Sequence, residues 1–296
     1  MKTKLLLALA LAVSATMATA QQRVHPPITN KEWETPFPAF KIVGNLYYVG
    51  TYDLGCYLIA TNAGLILINS GAPGSFPLVK ANIESLGFKL SDIKVITSTH
   101  GHWDHVGDLA QFVRLSGAKM LMNERDADVL ESGGNLDWRR PEGRGIIYDP
   151  IKIDRRLKDG DKIQLGGTEL TVHFSPGHTK GATSFTFPLQ DGGRTYNVLI
   201  ANMPGINAGV KLLGSPGYPN MAQDFAYTIA DLKKMTPDLW LSSHAGQFNL
   251  HKVYKPGDPY NPARFGDLAA YRAKIDGYEK AYLKQLAEER QTRAAN

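Results

Sequence analysis

Between Thr99 and His105 the chain reads Thr-His-Gly-His-Trp-Asp-His, which places three imidazoles (His100, His102, His105) and one carboxylate (Asp104) within six residues. Four polar side chains so close together contribute little to packing, and holding them is costly unless something uses their lone pairs. Metal binding explains the spacing. In an extended segment residues i and i+2 point the same way, so His100 and His102 can grip one ion, while a turn at Asp104-His105 aims two more donors at a second point. A histidine-rich surface loop, the alternative, leaves the spacing unexplained.

Two further histidines follow apolar strands and complete the donor set. His178 lies in Ser175-Pro176-Gly177-His178-Thr179, where proline and glycine build a tight turn, and His244 lies in Ser242-Ser243-His244-Ala245-Gly246. Together the clusters supply six ligands, three for each of two ions, with the open positions that a catalytic site requires. Five of the eight histidines are thereby used. His25 and His173 lack this setting; for His251, seven residues after His244, the alternatives are a group supporting a ligand from behind and a surface residue, and the surface is expected. Cys56, next to Tyr57 in an apolar stretch, reads as a packed thiol and not as a nucleophile or ligand.

The elements that must position these groups follow from periodicity. Phe40 to Ile68 alternates Val, Ile, Leu and Tyr between turn signals, which predicts a meander of short strands; Leu65 to Ile68 is apolar throughout, as in a strand buried on both faces. Phe76 to Leu86 has helical spacing. Ile93 to Thr97 predicts a strand running straight into the histidine cluster, and Val106, Leu109, Phe112 and Val113 predict a helix after it. The cluster thus sits at the C-terminal end of a strand, where open α/β sheets present their ligand sites.

Further strands are expected at 118–122, within 156–174, at 183–187, 196–200 and 239–242, and helices at 124–131, 225–234 and 264–286. In the last helix Leu268, Tyr271, Ile275, Tyr278, Tyr282 and Leu286 share one face, which predicts packing on the protein body. Residues 133–145 read as a glycine-rich, charged loop. The pattern is α/β, and no repeat of solenoid or propeller period occurs.

With 296 residues, 43% hydrophobic and 21% charged, the composition is that of an ordinary globular protein. Residues 1–20 read as a cleaved signal peptide: Lys2 and Lys4, an apolar run from Leu5 to Val13, then Ala18-Thr19-Ala20 before Gln21. The expected location is periplasmic, with no membrane segment in the mature form. Losing two lysines leaves 31 basic against 28 acidic residues, a formal charge of +3. That bias is too weak and too dispersed for nucleic acid. A single cysteine excludes an intrachain disulfide, and a monomer is the expected state.

The order of these motifs resembles the metallo-β-lactamase superfamily, whose signature is His-x-His-x-Asp-His with two later histidines. The resemblance covers essentially the whole mature chain. It is greatest to the third subclass of class B β-lactamases, and Leu46-Tyr47-Tyr48-Val49-Gly50-Thr51-Tyr52-Asp53-Leu54, Ile200-Ala201-Asn202-Met203-Pro204 and Ser243-His244-Ala245 are similar to the GOB-type enzymes. The resemblance implies a four-layer αβ/βα sandwich, a single domain over residues 21–296, with two zinc ions in the cleft between the sheets. By motif position His100, His102 and His178 would hold the first zinc, and Asp104, His105 and His244 the second. GOB-type enzymes carry glutamine where this chain has His100, so their single-metal behaviour does not carry over.

Lactonases and thioesterases of the superfamily place a bridging aspartate near Ala201-Asn202-Met203. This chain has none there: Asp191, Asp224, Asp231 and Asp238 are the only aspartates between His178 and His244, and all are poorly placed. With Asp104 the one anionic ligand, two Zn²⁺ leave a net positive site that favours deprotonating water. The resemblance therefore implies a small-molecule β-lactam substrate and hydrolysis of its amide by a metal-bound hydroxide, giving resistance to penicillins, cephalosporins and carbapenems. Asp104 would also orient the attacking group, and no Ser-x-x-Lys motif offers a covalent route. The alternatives are another dinuclear-zinc hydrolase of the fold, a lactonase or thioesterase, and an exported metal-binding protein without activity. Met203 is expected to pack, and the loops around Trp33, Asp137-Trp138 and 205–217 to shape substrate preference.

Overall fold

The apolar alternation of the N-terminal meander produces four antiparallel strands, β1 (Phe40–Val43), β2 (Leu46–Tyr48), β3 (Tyr57–Thr61) and β4 (Gly64–Ile68). These and all later coordinates come from a computed structural model, which describes residues 30–142 and 146–295. The leader, Gln21, His25 and part of the 133–145 loop lie outside the described residues. β5 (Ile93–Thr97), β6 (Lys119–Asn123) and β7 (Arg155–Leu157) extend the sheet in parallel, giving a seven-stranded order β1 through β7. A second sheet runs β8 (Lys162–Leu165), β9 (Thr168–Phe174), β10 (Thr183–Asp191) and β11 (Arg194–Ala201), all antiparallel, with β12 (Leu239–Ser242) parallel to β11 at its edge.

β4 shows how the layers stack. Ile66 and Ile68 belong to a core cluster that also holds Val172, Phe185 and Val198 of the second sheet. Leu65 and Leu67 belong to the other cluster, with Val79 and Ile83 of α1 (Phe76–Ser85) and residues of the helices beyond the signature. Period-two geometry thus makes one continuous apolar run serve two cores. The helices on this face are α2 (Trp103–Val106), α3 (Leu109–Ser116) and α4 (Glu124–Glu131). On the far face of the second sheet lie α5 (Met221–Lys234) and, after the short α6 (Leu250–Val253), α7 (Leu268–Ala294). The result is the expected αβ/βα sandwich.

Three local expectations change. The single helix expected after the histidine cluster is two, because the chain breaks at Gly107-Asp108. Gly107 packs against the Ala72-Pro73 backbone, where a Cβ would collide, and its N–H bonds the Gly71 carbonyl at 3.0 Å. The long C-terminal helix starts at Leu268 and not Arg264. Pro262–Phe265 forms a separate 3₁₀ turn, and the Asp267 side chain then caps α7 by accepting from the Ala270 N–H at 2.9 Å. The expected strands at 183–187 and 196–200 extend into one hairpin turning at Gly192-Gly193. Of the predicted α7 face, Tyr271, Ile275, Tyr282 and Leu286 are buried, and Leu268 and Tyr278 are partly buried against the same core.

Candidate metal centre

Thr97 ends β5, and the loop carrying His100 and His102 is shaped by a single residue at the end of β4. Asn69 adopts φ 66° and is fully buried. Its Oδ1 accepts from Ser98 Oγ (2.9 Å) and Thr99 N–H (3.0 Å), while its Nδ2 donates to the Gly55 carbonyl at 3.0 Å. Between the two histidines both peptide groups of Gly101 are held: its N–H donates to Asp126 Oδ2 at 2.8 Å and its carbonyl accepts from Tyr148 OH at 3.0 Å. Asp126 also accepts from Thr179 Oγ1 (2.6 Å) and the Gly181 N–H (2.8 Å). One buried carboxylate therefore ties the loop of His100 and His102 to the loop of His178.

His178 follows Gly177, whose φ of 128° suits glycine and whose Cβ, if present, would lie 2.8 Å from the Phe225 ring. The imidazole Nδ1 lies 2.6 Å from the Gly205 carbonyl, which leaves Nε2 free to bind. His244 is placed by pairing of its strand-end backbone with Leu54, and its Nδ1 lies 2.8 Å from Asp53 Oδ2. Trp33 Nε1 donates to the same carboxylate oxygen at 3.0 Å, and the Gly246 N–H to the other at 3.2 Å.

These supports bring all six residues together in two adjoining sets. The rings of His100, His102 and His178 lie 4.6–4.8 Å apart between centroids, and one donor atom of each falls within 4.8 Å of the others. Asp104 Oδ2, His105 Nε2 and His244 Nε2 form a triangle with sides of 3.2, 3.2 and 3.4 Å. Donors about 2.0–2.1 Å from a tetrahedral zinc are about 3.3–3.4 Å apart, so this triangle fits such an ion. His100 also groups with Asp104 and His105, so the sets share an edge.

Unsatisfied atoms give the same result. His100 Nε2, His102 Nε2 and His105 Nδ1 are buried without a hydrogen-bond partner, a costly state for a polar group. Two of them belong to the first set. An ion accepting the lone pairs of His100 Nε2 and His102 Nε2 removes the cost for those two, so the first donor set fits a metal site.

The electrostatics prepare the first donor set and Asp104. Burial, reinforced by neighbouring imidazoles, pushes His100 well below its ordinary pKa; burial and Arg139 do so for His102, and burial takes His178 down to about 4. All three are neutral at neutral pH, with lone pairs available. Burial would raise the Asp104 carboxyl, but His105 and His244 outweigh it and hold it well below the usual range. Burial likewise works against the His244 cation, yet hydrogen bonds to Asp104 and Asp53 win and raise it to about 9.

The site opens into a cavity of about 630 Å³. Trp33, Trp103 and Met203 form apolar walls, with Trp33 edge-on to Trp103 at 5.4 Å. Met203 is 2% exposed, so it packs as expected while also facing the cavity. Asp137 and Trp138 do not line this cavity. Asp137 instead clamps Arg139, which does, at 2.6 Å, and the buried Trp138 packs edge-on to Tyr218. His251 is not a free surface residue: its ring stacks on Tyr52 at 3.8 Å and its Nε2 lies 2.8 Å from the Tyr52 carbonyl, beside Asp53. Cys56 is fully buried, and burial pushes its thiol far above the usual range, as for an inert packed residue.

No carboxylate stands at 201–203. Asn202 Nδ2 lies there instead, 2.9 Å from His100 Nδ1 and 3.0 Å from the Thr99 carbonyl. Asp191, Asp224 and Asp238 bond Tyr260, Tyr218 and Arg194 respectively, away from the imidazoles. Sequence reasoning passed over Asp53, Asp126 and the partner role of Asn202. Asp53 lies 191 residues from His244 and Asp126 lies 53 from Thr179, and no local pattern signals such pairings.

The metallo-beta-lactamase superfamily model matches residues 56–192. Among solved structures, a beta-lactamase from Chitinophaga pinensis is 48% identical, with a TM-score of 0.86 over 89% of this chain and 99% of that one. GOB-18 from Elizabethkingia meningoseptica is 46% identical, with a TM-score of 0.88 over 91% and 100%. The class B3 di-zinc enzyme LRA-12 from an Alaskan soil metagenome is 45% identical, with a TM-score of 0.85 over 88% and 99%. Curated sequences are spanned less completely: the match covers 59% of YobT from Bacillus subtilis and 34% of the hydroxyacylglutathione hydrolase of Hyphomonas neptunium, to which the chain is 30% and 32% identical. By near full-length likeness to these structures, the chain belongs to the metallo-β-lactamase superfamily, alongside its class B3 enzymes.

Proposed function

We propose that this chain hydrolyses the amide bond of β-lactams, including penicillins, cephalosporins and carbapenems, with two zinc ions, and so confers resistance to them. The observation that carries this reading is the pair of adjoining three-ligand sets opening on one cavity, in a chain 45–48% identical to solved β-lactamases over nearly their whole length. Zinc, when bound, supplies Lewis acidity, which lowers the pKa of water to about 7 and polarises a carbonyl oxygen.

The chain's own residues do the rest. His100, His102 and His178 would hold the first ion through neutral imidazoles, and Asp104, His105 and His244 would hold the second. Asp104 is the one anionic ligand; its carboxylate also accepts a hydrogen bond from the attacking water and orients it. Asp53 fixes the His244 ring, and Gly205 fixes that of His178, so neither ligand has to reorganise during the reaction. Trp33, Trp103 and Met203 keep water from the body of the substrate. With water as nucleophile, no covalent intermediate forms.

Thioester hydrolysis is the reading to set against this, because hydroxyacylglutathione hydrolases are among the curated relatives. Asn202, in the stretch where those relatives are expected to carry a bridging aspartate, favours the β-lactam reading. A panel of a carbapenem, an acyl-homoserine lactone and an acyl-glutathione thioester, assayed with zinc and with chelator, separates them. Carbapenem turnover lost with chelator and regained with zinc is expected; preferential thioester turnover contradicts it.

Export to the periplasm as a monomer completes the proposal. No helix of the described residues is long and apolar enough to cross a membrane. N-terminal sequencing of the exported protein should begin at Gln21.

A further inference from the structure

We infer that Lys274, on the exposed flank of α7, is the anchor for the substrate carboxylate, and so a specificity-determining residue of the site proposed above, on which this inference rests. Among the described residues, one arginine and one lysine line the cavity, Arg139 and Lys274. They differ in one respect. Arg139 is neutralised by Asp137, which accepts from its guanidinium at 2.6, 3.1 and 3.2 Å. Lys274 has no carboxylate partner among the described residues; its Nζ donates to the Gly246 carbonyl at 3.3 Å. Burial, and then the neighbouring Lys252, push its pKa down, as for an ammonium short of counter-charge.

Position agrees with charge. Gly246 follows His244 by two residues, and its N–H bonds the same Asp53 that holds the His244 ring. Lys274 therefore stands on the side of the cavity formed by His244, a member of the second ligand set. In penicillins, cephalosporins and carbapenems the carboxylate is borne by the carbon bonded to the lactam nitrogen. A lactam whose leaving nitrogen faces that set must place its carboxylate on the same side. Gln247 and Tyr278 also line this cavity and add neutral hydrogen-bonding groups to it. A flexible four-carbon stem carrying a point charge suits ring systems of different width, which present the carboxylate at slightly different positions.

The test compares wild type, Lys274→Gln and Lys274→Arg on benzylpenicillin and on its methyl ester. With zinc-loaded protein, KM for the free acid should rise about tenfold in Lys274→Gln with kcat nearly unchanged, the loss of one charge-assisted hydrogen bond made equally in ground and transition states. Lys274→Arg should stay close to wild type, and the ester should be indifferent to either change. Binding of the free acid to chelator-treated protein, followed by quenching of Trp33 and Trp103 fluorescence, should weaken by the same factor without any turnover. An unchanged KM and Kd in Lys274→Gln, or an equal loss on the ester, overturns the assignment while leaving the β-lactamase reading intact. A wild type that hydrolyses no β-lactam overturns both.

Discussion

His178 and His244 each depend on a second group, the Gly205 carbonyl and the Asp53 carboxylate, that fixes which imidazole nitrogen is free. Asp53 does this for His244 from the loop after β2, and Trp33 in turn orients Asp53. Partners of this kind change metal affinity by about 10- to 100-fold when removed. Asp53→Ala should lose affinity by that factor at one zinc site and not at the other, measured by competition with a chelating dye, and saturating zinc should recover most of the activity. Equal affinity for both ions in the variant and wild type would mean that Asp53 only packs. At this scale the sequence revealed the ligands but not their supports. His100, His102, Asp104 and His105 are readable because their spacing is local, and His178 and His244 because each follows a strand. Asp53, by contrast, reads as a turn residue until the fold brings it to His244.

At the scale of elements, α4 does more than cover a sheet. Asp126 in its first turn accepts from Gly101, Gly181 and Thr179, joining the two loops that carry the first ligand set. Asp126→Ala leaves three buried donors unsatisfied, and at roughly 1–3 kcal/mol each the expected loss is at least about 3 kcal/mol. Differential scanning calorimetry of the metal-free protein should show a melting temperature lower by several degrees; a value equal to wild type would contradict this role. Strand and helix positions were legible because β4, β5 and α7 have unambiguous periods. Their boundaries were not, where tertiary contact decided them: Gly107 splits the helix after the signature because Pro73 crowds it, and Asp267 delays the start of α7 by capping it. Lys274 was hidden for a related reason. The apolar stripe of α7 correctly indicated packing, but only the fold shows that the neighbouring flank reaches the cavity.

For the molecule as a whole, the two sheets hold the ligands on loops and on the short α2 at one edge of the sandwich, and the ligand set itself carries a cost that bound metal relieves. His100 Nε2 and His102 Nε2 are buried without partners among the described residues, so folding and metal binding are coupled. The central claim is that two zinc ions, held by His100, His102 and His178 and by Asp104, His105 and His244, make this chain a β-lactamase. The most direct test is to titrate the metal-free protein with zinc while following hydrolysis of a carbapenem. The account predicts no turnover at the start, activity that rises with added zinc, and a plateau at two ions per chain. Turnover by fully metal-free protein, or none with both sites filled, would contradict it.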